Sequence, residues 1–410
     1  MTTGLPNALP PHESQAFNSV QSKIFKWYER IIAGIILILV YLNIPEYTYA
    51  VINQAILPKY FYFLMCALLA PVVFFKIDQL LRYLISPYSL LILLLISINF
   101  ISLIDANKDT VELVLTRNQL LLLSIMLGFF FSSISTGSFK SIFPFLLVIN
   151  LACVVTNFIA PGLMYPLRTP GAVIGRAAGT FINPTQISEV LLITCLFAIP
   201  VVSRPYRIIL TLSTGIGVAL TFTRGSFVIG FLLFIILCAT RKMPRLALVF
   251  PTLLLLFLPV LVANFNDYLL SREDLIFNVD DLLSRLDFFQ TYVVNDVSAL
   301  ERFEVMNAAL NLFFQNPLLG AGVGYTTLWP YRVGPHNQLL VLAAEYGVTG
   351  ILLWLLLAVM LWKGRYFKDR AFQHMACFIF IGLSMFTHNI LELAYWLLSI
   401  ALLSRPSQTE

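Results

Sequence analysis

Polar residues punctuate this chain instead of alternating along it. From residue 31 to residue 403, long apolar runs recur between short clusters of charge, proline and glycine. That is a pattern of buried or membrane-crossing helices, not of half-buried strands. An apolar stretch of about 17–25 residues can cross a bilayer as a helix. Read between polar breaks, the sequence predicts twelve spans, near 31–46, 57–75, 87–104, 114–134, 141–160, 185–202, 207–222, 226–240, 246–263, 337–361, 372–388 and 391–404. The two long polar intervals are 161–184 and 264–336. Within the second, Ser298-x-x-Glu301 has the form of a capping box, and Phe303, Met306, Leu310 and Phe313 follow at helical spacing. Asn316-Pro317 supplies the stop, so an amphipathic helix over about 299–315 is expected to lie against the membrane-facing body.

Composition confirms the class. Of 410 residues, 59% are hydrophobic and 11% charged, with a mean hydropathy of +0.85. A soluble domain carries about a quarter charged residues. The expected fold class is an all-α polytopic membrane protein with about twelve transmembrane helices and the lipid bilayer as its surroundings. Cytosolic enzymes, nucleic-acid binders and secreted disulfide scaffolds are set aside. Cys66, Cys153, Cys195, Cys238 and Cys377 all lie in apolar stretches without metal-type spacing and read as small buried hydrophobes. The polar first 22 residues lack a signal-peptide pattern, so the first span is expected to act as an uncleaved insertion signal.

Charge then gives an orientation. The clusters 241–245 and 363–370 fall on the same side of the twelve-span map as Lys23, Lys26 and Arg30. With both termini on that side it holds 16 Lys and Arg against 5 Asp and Glu; the other holds 10 against 16. Cytoplasmic loops carry the Lys and Arg excess. The net charge of +5 is thus an average of opposites. The expected organisation is a cytoplasmic tail (1–30), nine spans (31–263), a large loop on the opposite side (264–336), three spans (337–404) and a cytoplasmic tail (405–410).

The exceptions on the acidic outer side are the candidates for chemistry. Arg224, in Thr223-Arg224-Gly225, interrupts an apolar segment running from 207 to 240. It either marks a hairpin and snorkels to headgroups or serves a function, and an intramembrane ionisable group is a functional candidate by default. Arg176 precedes the sixth span, and Arg302 lies in the first turn of the amphipathic helix; each reads equally as a solvated arginine or as a ligand for an anion. Three guanidinium forks meeting in one vestibule would suit a diphosphate. His336, followed by Asn337, stands at the mouth of a long span, while His388-Asn389 near Glu392 ranks below it and His374 reads as interfacial. The run Pro317-Leu318-Leu319-Gly320-Ala321-Gly322-Val323-Gly324 would let backbone amides at Gly320 and Gly322 approach a ligand. It is not a nucleotide-binding fingerprint. Asp280-Asp281 could hold a divalent cation, but a solvated acidic turn is the simpler account.

Taken together, these segments resemble the family of O-antigen ligases, O-antigen polymerases and related O-oligosaccharyltransferases. His336-Asn337, nine residues, Gly347, two residues and Gly350 fit the motif His-[Asn/Ser/Gln]-x9-Gly-x2-[Gly/Thr/Tyr] that closes that family's large periplasmic loop. Arg302-x3-Met306 followed by Pro317-x2-Gly320-x-Gly322 is similar to its Arg-x3-Trp segment and Pro-x2-Gly-x-Gly turn, with Met306 departing from the aromatic. Thr223-Arg224-Gly225 looks like its Ser-Arg helix end, and Arg176-x2-Gly179-Thr180-Phe181-x-Asn183-Pro184 like its Arg-x2-Gly-x-Phe-x-Asn-Pro segment. The motifs cover residues 176–350; the first five spans match in hydropathy alone.

The resemblance implies a GT-C-type fold in the bacterial inner membrane and an inverting, metal-independent glycosyl transfer at the periplasmic face, with no cofactor. The donor would be a glycan on undecaprenyl diphosphate. The acceptor would be lipid A–core oligosaccharide in a ligase or a second lipid-linked glycan in a polymerase. Arg224, Arg302 and His336 would be catalytic, and Arg176, Asn337, Gly320 and Gly322 would bind diphosphate or glycan. A protein O-oligosaccharyltransferase and a transporter stand behind these; paired interrupted helices and related halves, expected of a transporter, are not evident in the sequence.

Overall fold

The computed structural model describes residues 11–103, 107–165, 176–244, 247, 249, 297–331 and 333–405. The span expected at 246–263, the Asp280-Asp281 pair and the ends of both tails fall outside the described residues. In order, the chain forms α1 (Pro11–Tyr41), α2 (Ile44–Tyr47) running into a π-helical turn (Thr48–Ile52), α3 (Pro58–Phe75), α4 (Ile77–Leu84), α5 (Pro87–Ile101) and α6 (Lys108–Ser133). Then come α7 (Ile142–Ile159), α8 (Pro161–Met164), α9 (Pro184–Ala198), α10 (Arg204–Leu220) and α11 (Arg224–Ala239). The last set is α12 (Val297–Gln315), α13 (Tyr325–Leu328), α14 (Gln338–Lys363), α15 (Arg370–Ser384) and α16 (Ala394–Leu403). No strand occurs among the described residues.

The protein is all-helical, but fewer of its helices are unbroken spans than the hydropathy pattern suggests. Four described helices, α3, α6, α7 and α14, are long and apolar enough to cross a membrane, and up to six spans result if two bent pairs each count as one. The pairs are residues 23–41 with 44–52, bent by 55°, and α4 with α5, bent by 67°. The first bend has Asn43 in the left-handed region, φ 49, and the second has a Ser86 N-cap with Pro87 opening α5. Apolar helices α9, α11 and α16 are shorter than 18 residues. Hydropathy averages over such breaks, since a proline or a left-handed residue barely changes the mean.

Basic residues from distant segments meet at one end of the bundle. Lys242 pairs with Asp369, Arg207 donates to the Lys242 carbonyl at 3.5 Å, and the Arg405 guanidinium donates to the Ile134 carbonyl at 3.1 Å. The basic segments 241–242 and 363–370 therefore meet there. Between the ends, stacked rings join the helices: Phe143 of α7 and Phe197 of α9 lie 4.5 Å apart at 18°, with Tyr41 of α1 edge-on to Phe143.

At the opposite end α14 is broken. Gly347 has φ 66 and ψ −146, a conformation that side-chain-bearing residues avoid. The turn 317–322 fills the break. Val348 donates to the Pro317 carbonyl at 2.8 Å, Ala321 to Ala344 at 2.8 Å, and Gly322 to Glu345 at 3.2 Å. A Cβ on Gly347 would lie 2.6 Å from the Pro317 and Leu318 carbonyl oxygens. Gly347→Ala is expected to lower the thermal midpoint in detergent by the equivalent of about 1–3 kcal/mol or more. Gly215→Ala in α10, where an added Cβ meets nothing within 4 Å, should leave it unchanged or slightly raised.

Candidate functional site

The half-helix of α14 that precedes the break carries the site at its N-terminus. Asn337 caps it: its Oδ1 accepts the Leu340 amide at 3.0 Å, and its Nδ2 lies 3.9 Å from Met385 Sδ. His336, one residue earlier, has φ 47. A left-handed non-glycine residue persists where the surroundings fix it. Here the His336 ring meets His388 edge to face, centroids 4.9 Å apart at 85°. Gly334 makes room for that contact, because a Cβ there would lie 2.7 Å from His388 Cδ2. The turn bearing His388 is itself anchored. Thr387 donates to Asn389 Oδ1 at 3.1 Å, and the Ile390 amide donates to Gln338 Oε1 at 2.7 Å.

Both rings are held uncharged. Burial, the adjacent His388 ring and the Arg302 guanidinium pull His336 down to about 3. His388 falls to about 4 through burial, opposed by the Glu345 carboxylate and reinforced by Arg302 and Arg117. Arg302 lies in the first turns of α12 and so acts on both histidines. The helix expected over 299–315 runs from Val297 to Gln315, but the face it buries differs from the expected stripe. Val305 and Ala309 are buried, Ala309 against Leu340 and Ala344, while Phe303, Met306 and Leu310 are exposed. Large side chains suit a solvent or lipid face here; only small ones let α12 pack closely on α14.

The arginine segments lie at the same end. Arg176 Nε donates to the Thr221 carbonyl at 2.9 Å and its Nη2 to Thr223 Oγ1 at 3.2 Å. The rest of its motif is structural. Asn157 accepts the amides of Ala178 and Gly179, Gly179 takes φ 56, buried Phe181 packs edge-on to Tyr395, and Asn183 caps α9 with Pro184 in its first turn. Arg224 opens α11 directly after Thr223. Its neighbour Gly225 abuts Phe386, whose Cγ would lie 2.5 Å from an added Cβ. Arg176 thus bonds Thr223, Arg224 follows it directly, and Gly225 and His336 each meet the 385–389 turn, at Phe386 and His388.

Gly320 and Gly322 are turned to another use. Gly320 donates to the Asn316 carbonyl at 2.9 Å and Gly322 to that of Glu345, so both amides are occupied by backbone. A Cβ on Gly320 would sit 2.2 Å from the Glu345 carbonyl carbon. These glycines, with Gly347 and Gly350, let two stretches of backbone touch.

Sequence reasoning missed the charged cluster beneath the histidines. Arg117 of α6 donates to Glu345 Oε2 at 2.8 Å and to Thr327 Oγ1 at 3.2 Å and pairs with Glu392. Glu345 Oε1 accepts the Thr326 hydroxyl at 2.6 Å and its amide at 3.2 Å. Alongside, Tyr346 donates to Asn99, which donates to Asn118. A cavity of about 20 Å³ opens among Asn99, Arg117, Gln338, Glu345 and Glu392, room for one water. In α9, Glu189 Oε2 accepts both the Tyr395 hydroxyl and the Trp396 indole at 2.7 Å. The signal was present: Arg117, Glu189 and Glu345 are ionisable residues inside expected spans, the criterion that singled out Arg224.

Residues 209–355 match the family model described as O-antigen ligase. Over that stretch the chain is similar to the O-antigen ligase family. The matched stretch runs from α10 to the middle of α14, so it contains Arg224, Arg302, His336 and both glycines of the α14 break; Arg176 and the turn bearing His388 lie outside it. The match and the four described helices long and apolar enough to cross a membrane agree with one another. One solved chain, from work described as "Structural coordination of polymerization and crosslinking by a peptidoglycan synthase complex", is 18% identical. The likeness covers 77% of this chain and 94% of that one with a TM-score of 0.45, too distant to carry an argument. No curated protein matches.

The buried cluster generates a stability prediction. Arg117→Met leaves Glu345 and Glu392 without their cation and is expected to cost about 3–5 kcal/mol. Glu345→Gln, which keeps an acceptor for Thr326, should cost less, as thermal melts of the two purified variants will report.

Proposed function

We propose that the protein is an inner-membrane glycosyltransferase of GT-C type that moves a glycan from undecaprenyl diphosphate to a sugar hydroxyl at the periplasmic face, most simply as an O-antigen ligase acting on lipid A–core oligosaccharide. The polymerase reading differs only in its acceptor, a second lipid-linked glycan. Both termini then lie in the cytoplasm, as the basic end of the bundle supports. In the reaction the acceptor oxygen attacks the anomeric carbon from the face opposite the diphosphate. The bond to the diphosphate oxygen breaks with inversion, and the hydroxyl proton passes to His336 or to a phosphate oxygen. Arg224 and Arg302, with Arg176 beside Thr223, balance the charge that develops on the leaving diphosphate, which removes the need for a metal.

The observation that supports this reading is the pair of histidines, His336 and His388, edge to face at 4.9 Å at the mouth of α14, where α12, which bears Arg302, packs on α14 through Ala309. An arginine for the diphosphate and an uncharged ring for the acceptor hydroxyl would then come from neighbouring elements of the stretch that is similar to the O-antigen ligase family. His336 is a weak base as it stands, so its first role is to orient the hydroxyl. The negative charge of a bound diphosphate then raises its proton affinity at the moment of transfer.

The test is reconstitution in proteoliposomes with undecaprenyl-diphosphate-linked glycan and, separately, lipid A–core or a second lipid-linked glycan. His336→Ala and Arg224→Ala should each lower transfer by about a hundredfold or more while leaving membrane insertion intact. Retained transfer in either variant removes the assigned role. Chelators should leave the rate unchanged; sensitivity would promote Asp280-Asp281 instead.

The pH profile follows from the histidines. A histidine at its ordinary value loses its neutral form as pH falls through about 6.5. His336, lowered to about 3, keeps its neutral form far below that. The kcat/KM of the protein, which reports the free enzyme, should therefore stay flat from about pH 8 down to about pH 5. An acid limb near 6.5 that disappears in His336→Gln would contradict the buried, arginine-flanked ring.

A further inference from the structure

We propose that His388 is a second substrate-contacting residue, whose buried ring nitrogen Nδ1 hydrogen-bonds a hydroxyl of the acceptor sugar beside His336. This inference rests on the glycan-transfer reading and names the acceptor-binding group within it.

Four observations carry it. His388 Nδ1 is buried and has no hydrogen-bond partner among the described residues. An unsatisfied buried polar atom costs about 1–3 kcal/mol, a cost that a bound ligand or water relieves. The ring is not a chance neighbour of His336. It stands edge-on to it at 4.9 Å, Gly334 leaves the space it occupies, and the Ile390 amide to Gln338 bond pins its turn to the same half-helix.

The surroundings also select the ligand. Below His388 lie Glu345 and Glu392, two carboxylates sharing the single guanidinium of Arg117. Those carboxylates disfavour an anion directly against the His388 ring on the Arg117 side. Of the arginines offered to a diphosphate, Arg176 is bonded to Thr223 and Arg224 follows Thr223 directly, next to Gly225, which abuts Phe386, while Arg302 is on α12. A neutral group that both donates and accepts, a sugar hydroxyl, fits a neutral imidazole nitrogen. Both rings are uncharged at physiological pH.

The experiment measures steady-state kinetics in proteoliposomes with lipid A–core, or the second lipid-linked glycan if that is the acceptor the unsubstituted protein uses, varied against the donor. His388→Ala should raise the KM for acceptor about tenfold, the worth of one neutral hydrogen bond. The KM for donor and the thermal midpoint should hold. His388→Asn, whose amide reaches the position of Nδ1, should recover most of the loss. Gly334→Ala keeps the imidazole but drives a methyl group into it, so it should reproduce the acceptor defect; its backbone has no left-handed φ to strain. Equal loss on both substrates with no rescue by Asn would make His388 merely structural and overturn the proposal. Unchanged kinetics in all three variants would do the same, with water as the partner of Nδ1. If the unsubstituted protein transfers glycan to neither acceptor, the glycan-transfer reading falls and this inference with it.

Discussion

A helix that breaks inside a membrane protein strands backbone groups that no water can satisfy, so a break survives only where protein supplies the partners. In α14 the partner is the turn 317–322. Its amides at Ala321 and Gly322 take the carbonyls of Ala344 and Glu345, and its Pro317 carbonyl takes the Val348 amide. This backbone-to-backbone seam fixes the direction of the half-helix 338–346 and fastens α12 to it. His336, Asn337 and Gln338 are presented by that half-helix, and Arg302 by α12. Without the break, α14 would run on as an ordinary span, and the loop helix would have no seat.

The same break sets the charges. Glu345 lies two residues before Gly347, where the half-helix ends, and is 1% exposed, a position affordable only with full pairing. Arg117 of α6 and Thr326 of α13 supply that pairing, and Thr327 and Glu392 join through Arg117. One cation thus ties α6, the α13 turn, α14 and the turn before α16. Those ties, with Gln338 on Ile390, hold His388 where it meets His336.

Much of this was legible in sequence and part was not, for physical reasons. Helix existence was readable because apolar runs of span length have few alternatives; the breaks near Asn43 and Ser86 were invisible to an average over hydropathy. The motif glycines were found, but their purpose was misjudged. Positive φ at Gly320, Gly322 and Gly347 is a local property that a sequence can suggest. What the close approach serves, here another backbone, depends on a partner 25 residues away. The apolar stripe of α12 was placed a face off because small residues, not large ones, make its seam with α14. Arg117, Glu189 and Glu345 met the same criterion as Arg224, but their partners lie far along the chain, 228 residues between Arg117 and Glu345 and 206 between Glu189 and Tyr395, so no local motif joins them.

Neutral histidines beside arginines have a further consequence for how such a site divides its work. A guanidinium close to an imidazole opposes its protonation, so the more strongly a site is built to hold an anion, the weaker its resting base becomes. In the proposed reaction this is an advantage at the start, because an uncharged ring does not compete with the arginines for the diphosphate and remains free to accept a hydroxyl proton. When the leaving group takes on charge, it neutralises the arginine field. The same imidazole then gains basicity as the acceptor oxygen loses its proton. Coupling of this kind requires the cation and the ring to share one rigid mount, and the seam between α12 and α14 provides it through Ala309, Leu340 and Ala344.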